Sequence, residues 1–227
     1  MPPSFGLWCQ EDLCALSWRG NVSYTPPSSA SYSHTNNSRC YDIWRSRLGS
    51  ALTEQLRLSG AIRIVEGDIE KFDVGMSADD LAAIRSEVNF FIHSASSINL
   101  RAKLARLMSP IVDASLQIAD LALRCPHLDS FVYVSTAYAN SNIHDPNVPK
   151  RTFIEETIYP LNDSKDTLDS AENELADVRK FSNVPESAAF PFAYGYAKHL
   201  TERLLTNLFS SLPVSLVITN NLPKVVF

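Results

Sequence analysis

Three short apolar runs constrain this chain more than any other feature. Residues 88–93 read Val-Asn-Phe-Phe-Ile-His, residues 131–134 read Phe-Val-Tyr-Val, and residues 214–218 read Val-Ser-Leu-Val-Ile. Each is nearly continuous rather than alternating, the pattern of a strand covered on both faces, as in a parallel sheet. A fourth run, Ile62-Arg63-Ile64-Val65-Glu66-Gly67-Asp68-Ile69, is rich in β-branched residues and leads into a turn. Helical segments separate these runs. Ser77-Ala78-Asp79-Asp80 caps a helix through Leu81 and Ile84. A long helical region spans 100–124, with a break or kink expected at Pro110. Beyond the proline, Ile111, Ala114, Ser115, Ile118, Ala119, Leu121 and Ala122 have helical spacing and a small-residue face. Residues 194–208 form a further helix with Leu200, Leu204, Leu205 and Leu208 toward the core. This alternation predicts an α/β fold, a doubly wound and mostly parallel sheet of Rossmann-like type.

The flanks read differently. Residues 1–59 are expected to be a poorly organised segment: Pro26-Pro27-Ser28-Ser29 runs into further Ser, Thr and Asn, and Trp8, Trp18 and Trp44 show no period. A short amphipathic helix is expected over Ile43, Leu48, Leu52, Leu56 and Leu58, stopped by Gly60. Residues 60–227 are taken as one domain, with a long loop excursion at 141–190 that carries Pro146, Pro149, Pro160 and Pro185 and an acidic stretch from Asp163 to Asp177. A short helix is expected there around Ser170 to Lys180.

Charge and composition narrow the classes. Twenty Lys and Arg against twenty-five Asp and Glu give a net charge of -5, and no basic block stands out, which argues against nucleic acid as the main partner. No run reaches the length of a spanning helix, and no basic start precedes an apolar core, so an intracellular, non-secreted protein is expected. Cys9, Cys14, Cys40 and Cys125 are then unpaired thiols. The glycosylation-type triplets at Asn21, Asn36 and Asn162 are chance matches on the same reading.

In an open parallel sheet, ligands bind beyond the carboxyl ends of the strands. Asp68, Ser94-Ala95-Ser96 and Ser135-Thr136 fall at three such ends. Asp68 suits a hydrogen bond from a nucleotide's base or ribose, or a plain turn cap. The small residues 94–96 let a cofactor approach the backbone. The sharper feature is Tyr194-Gly195-Tyr196-Ala197-Lys198, in which Tyr194 and Lys198 share a helix face. A lysine beside a phenol favours the phenolate, so the Tyr194 pKa is expected to fall. Such a tyrosine can exchange a proton with a carbonyl oxygen as hydride arrives, while a hydroxyl from Ser135 or Thr136 holds the same oxygen. Tyr196 points elsewhere and is read as a packing residue.

These stretches together resemble the extended short-chain dehydrogenase/reductase superfamily, and more narrowly the NAD(P)-binding domain of fatty acyl-CoA reductases, the male-sterility-type family. The resemblance covers about residues 60–219. It rests on Val65-Glu66-Gly67-Asp68-Ile69, on Phe91-Ile92-His93-Ser94-Ala95-Ser96 and on Phe131 to Asn140 with its Val-Ser-Thr-Ala-Tyr run. It continues in Glu155-Glu156-Thr157-Ile158-Tyr159-Pro160, in Tyr194 to Glu202 and in Leu212 to Ile218.

The resemblance implies Tyr194 as catalytic tyrosine, Lys198 as its lysine, and Thr136 as the catalytic hydroxyl with Ser135 as second claimant. It implies Asp68, with Ile69 beside it, near the adenine, and Ser94, Ala95 and Ser96 beside the cofactor's phosphates and ribose. Tyr194 and Lys198 would also touch the cofactor. The implied cofactor is NADPH and the implied substrate a long-chain acyl-CoA, reduced through the aldehyde to the fatty alcohol. A cytoplasmic location is implied, or peripheral association with the endoplasmic reticulum or peroxisome through parts absent here.

Three departures stand out. No Gly-x-x-Gly-x-x-Gly turn precedes Asp68, Gly6, Gly20, Gly49 and Gly60 being scattered, so an incomplete sheet without its first strand is expected. The chain stops soon after Ile218, before a substrate-binding portion, which reads as truncation at both ends. Ile111 stands where the superfamily usually has Asn. Two alternatives follow: a thioester reductase for carrier-bound acyl groups, or a non-catalytic fragment.

Overall fold

The computed structural model describes residues 5–10, 13–18, 42, 45–58, 62–143, 157–159, 161, 168–182 and 185–219. The Pro26–Ser38 stretch, Trp44, Pro146, Pro149, Pro160, Asn162 and the final residues 220–227 lie outside them.

Six strands form one sheet: β1 (Phe5–Gln10), β2 (Leu13–Trp18), β3 (Ile62–Glu66), β4 (Phe90–His93), β5 (Ser130–Thr136) and β6 (Val214–Thr219). Their spatial order is β3-β1-β2-β4-β5-β6. The β4, β5 and β6 strands run parallel, as the apolar runs predict, and β1 is parallel to β3. β2 is antiparallel to both of its neighbours.

The structure thus places a hairpin in a stretch that the sequence reading leaves without regular structure. Gln10 pairs with Leu13, so only two residues connect the strands. The hairpin stands between β3 and β4. It brings no glycine-rich turn with it.

The helices are α1 (Ser50–Leu58), α2 (Ala78–Glu87), α3 (Leu104–Leu107), α4 (Ala114–Leu123), α5 (Leu168–Phe181) and α6 (Ala193–Leu208). Ser77 caps α2 by accepting the Asp80 backbone N–H. At Pro110 the chain runs as a π-turn, Met108–Asp113, between α3 and α4. The ring displaces the carbonyl of the preceding turn and the missing N–H leaves it unbonded, so the helix widens rather than ending. Within the loop excursion, α5 covers fourteen residues.

One core cluster joins Leu81, Ile84, Phe91, Ile118, Phe131 and Tyr133, with Leu205 reaching in from α6. A second joins Leu107, Ile111, Val112, Leu175, Tyr196 and Leu200. Helix α6 belongs to both, and every residue from Tyr194 to Leu205 is buried. A helix enclosed on all sides is held rigidly, which is what a precise site needs. No helix among the described residues is long and apolar enough to cross a membrane.

Candidate active site

The site lies where β5 ends against the first turns of α6. Parallel register aligns His93 with Tyr133 across β4 and β5. Residues 94–96 follow directly on the end of β4. After Thr136 the chain enters a 3-10 turn, Ala137–Ile143. Gly195 allows α6 to press on that turn: a Cβ at this position would lie 2.6 Å from the Tyr138 carbonyl oxygen. That separation is impossible for any other residue without backbone movement.

Tyr194 is buried with the Thr136 side chain nearby, and Thr136 Oγ1 accepts the Tyr138 backbone N–H at 3.4 Å. Desolvation raises the phenol pKa above its ordinary value, with the Thr136 side chain opposing. This corrects the expectation that Lys198 would lower it. The ammonium of Lys198 turns to the strand instead, donating to the Val134 carbonyl at 3.3 Å and lying 4.8 Å from the Tyr133 ring centroid. Helical spacing puts Lys198 on the same face as Tyr194, but burial and the backbone acceptor aim it elsewhere. Tyr194 is therefore a neutral donor at ordinary pH.

Burial pushes the Lys198 ammonium down to about 8, while the charge of Glu202 pulls it back up. Burial pushes the Glu202 carboxyl up to about 7, opposed by a bond from Ser135 and by Lys198. Ser135 Oγ donates to Glu202 Oε1 in a short contact. The Ser135 hydroxyl is committed to Glu202, whereas the Thr136 side chain lies near Tyr194.

The remaining sequence candidates separate. Asp68 sits at the end of β3 inside a tight turn. Its carboxylate accepts the Glu70 backbone N–H at 3.0 Å and pairs with Lys71 at 3.2 Å. Its own N–H donates to the Val74 carbonyl at 2.7 Å. Asp73, Val74 and Gly75 all have positive φ in this turn. Ile69 is packed in the core. Ala95 and Ser96 are buried at the end of β4 and Ser94 is half-buried. Ser96 Oγ and Asn140 Oδ1 are enclosed with no hydrogen-bond partner.

Three participants escaped the sequence reading. Glu202 is four residues beyond Lys198, a spacing that signals a shared face. His93 Nε2 lies 3.0 Å from Ser115 Oγ, which itself donates to the Ile111 carbonyl at 2.5 Å. Burial and the Lys198 charge push His93 down to about 3, so its ring is neutral. Ile111, in the place where Asn is usual, is fully buried and contributes only that carbonyl.

A mixed sheet with parallel β4, β5 and β6, beside a buried helix that carries Tyr-x-x-x-Lys, is a Rossmann-like fold. The chain belongs to the NAD-binding family described as male sterility protein, whose profile matches residues 30–220. It is 26% identical over 191 residues to mouse fatty acyl-CoA reductase 2, covering 81% of this chain and 34% of that protein. It is 27% identical over 164 residues to a putative fatty acyl-CoA reductase of Drosophila melanogaster, CG8306, covering 72% of this chain and 30% of the relative. The chain thus spans about a third of the length of these curated relatives. In fold it is similar to the terminal R domain from the myxalamid PKS-NRPS biosynthetic pathway, with a TM-score of 0.56 at 18% identity, covering 82% of this chain and 39% of that one.

The described residues fit one end of a nicotinamide dinucleotide. Ser96 Oγ and Asn140 Oδ1 are buried polar atoms without partners, and buried polar groups require them. At the pyrophosphate end, no glycine-rich turn occurs among the described residues.

Proposed function

We propose that this chain carries the catalytic face of a reductase that acts on long-chain acyl-CoA thioesters with NADPH. The observation that carries the reading is the placement of two buried hydroxyls, Thr136 at the end of β5 and Tyr194 in the first turn of α6, at the carboxyl edge of the sheet. Two hydroxyls converging on one point can donate to a thioester carbonyl oxygen and stabilise the charge that develops there. The nicotinamide supplies hydride to the thioester carbon. Tyr194 and Thr136 hold the resulting oxyanion, and its collapse expels the CoA thiolate, which takes a proton, leaving the aldehyde. Reduction of the aldehyde to the alcohol would consume a second NADPH, with Tyr194 donating the proton to the aldehyde oxygen. Lys198 would grip the nicotinamide ribose, with Ser94, Ala95 and Ser96 along the phosphates and ribose and Asp68 near the adenine. An acyl-CoA substrate suits work in the cytoplasm or at the surface of the endoplasmic reticulum or peroxisome.

The test is titration of the purified chain with NADPH, followed by palmitoyl-CoA turnover for the wild type and Tyr194→Phe. Y194F is expected to bind NADPH as wild type does and to lose about 10²–10⁴ of turnover. A wild-type chain that folds but binds no NADPH overturns the reading, as does a Y194F variant at full rate. Turnover confined to phosphopantetheine-linked acyl groups would reassign the substrate to a carrier protein.

A further inference from the structure

Glu202 is the only acid among the fully buried polar side chains of the described residues. A carboxylate so enclosed is costly unless it is hydrogen-bonded and paired. Ser135 donates to it, and Lys198, one turn earlier on α6, acts on it through opposite charge without a direct ion pair. Three successive residues at the end of β5 therefore meet three turns of one helix. The Val134 carbonyl accepts from Lys198, the Ser135 hydroxyl donates to Glu202, and the Thr136 side chain lies near Tyr194. Thr136 Oγ1 itself accepts the Tyr138 backbone N–H at 3.4 Å, and the contacts that flank it hold the end of the strand against the helix.

We propose that Glu202 is a positioning residue: by accepting from Ser135 and countering Lys198, it locks the end of β5 against α6 so that Thr136 and Tyr194 address one oxygen atom. This inference rests on the reductase reading above and deepens it. The groups facing Glu202 are few. Lys198 and Thr201 lie on its own helix, Tyr133 and Ser135 come from β5, and His93 of β4 stands beyond the Tyr133 ring, 5.5 Å away between centroids and neutral. Arg203, the next residue, is engaged elsewhere: its Nη1 donates to both Glu174 oxygens of α5 at 3.0 Å. Lys198 is left as the cation that balances Glu202.

The test uses the full chain carrying ¹³C-labelled lysine, with the Lys198 signal assigned by its loss in Lys198→Arg. Glu202→Gln keeps the volume and an oxygen for Ser135 but removes the charge. Its Lys198 is expected to become a stronger acid by about tenfold, one pKa unit downward. In the same variant, acyl-CoA turnover is expected to fall about tenfold in kcat with KM little changed, and the pH–rate profile to move with the lysine. Glutamine as mere packing would move neither the titration nor the profile.

Should E202Q not fold, Ser135→Ala provides the second arm. It removes the donor that favours the carboxylate, and the Lys198 midpoint is expected to shift in the same direction by a smaller amount. A Lys198 midpoint equal to wild type, in E202Q or in its substitute S135A, overturns the proposal. If the wild type turns over no substrate, the reductase reading fails, while the lysine titration still reports whether Glu202 sets the state of Lys198.

Discussion

The two halves of the sheet are built on different terms. In the half formed by β4, β5 and β6, parallel strands are covered by α6, and the polar groups within are paired over long sequence distances: Ser135 with Glu202, Lys198 with Val134, His93 with Ser115. In the half formed by β3, β1 and β2, a hairpin fills the sheet between β3 and β4, and the polar contacts of the loop after β3 are mostly local, such as Asp68 with Glu70 and Lys71. The comparison teaches that the buried polar groups of the candidate site are fixed by elements distant in sequence. The half with local contacts offers a surface for a ligand but little preorganisation.

The sharpest way to break the contrast is to remove the cation from the rigid half. Lys198→Met leaves the buried Val134 carbonyl without its donor and Glu202 without the nearby cation, and a loss of about 3 kcal/mol in folding stability is expected from chemical denaturation. Next comes Gly195→Ala. Its Cβ would meet the Tyr138 carbonyl oxygen, so α6 must shift. The expected cost is about 1–3 kcal/mol in stability. Turnover should fall by about 10²-fold if the shift approaches 1 Å, read by thermal melts and acyl-CoA kinetics.

The third prediction concerns acid. His93 is held neutral in the fold, its pKa lowered from 6.5 to about 3 by burial and then by Lys198. The unfolded chain binds the proton first, so this contribution is complete above pH 6.5 and is lost as pH falls toward 3. The slope approaches about 1.4 kcal/mol per pH unit within that window. His93→Asn should flatten the acid limb of a stability–pH curve, and an unchanged limb would place the acid sensitivity elsewhere. The smallest effect belongs to the other half. Lys71→Ala removes an exposed partner of Asp68 and should change stability by no more than about 0.5 kcal/mol.

What the sequence made legible follows the same division. The runs at 88–93, 131–134 and 214–218 correspond to β4, β5 and β6, and the helix expected over 194–208 is Ala193–Leu208. Continuous apolar strands and a 3.6-residue period are local signals, so they survive without tertiary context. The hairpin carries no such signal: Phe5–Gln10 and Leu13–Trp18 become strands through neighbours far along the chain, β3 on one side and β4 on the other. The site shows the same limit. Tyr194 and Lys198 could be named from spacing, with Ser135 or Thr136 as the hydroxyl and Thr136 preferred only through the family resemblance, and the structure brings these residues to one end of the sheet. The direction of the Lys198 ammonium could not, because it depends on burial and on the Val134 carbonyl, 64 residues away. The sign of the Tyr194 pKa followed that direction. The commitment of Ser135 to Glu202 spans 67 residues and was equally out of reach.

The antiparallel β2 has an electrostatic consequence. A crossover between parallel strands delivers a helix N-terminus to the carboxyl edge of a sheet, equivalent to roughly half a positive charge. A two-residue connection between β1 and β2 delivers none. An anionic ligand seated over β1 and β2 would draw its countercharge from charged side chains, whose fields are screened by dissolved ions. Its affinity should therefore weaken with ionic strength more steeply than where a fixed backbone dipole supplies the charge.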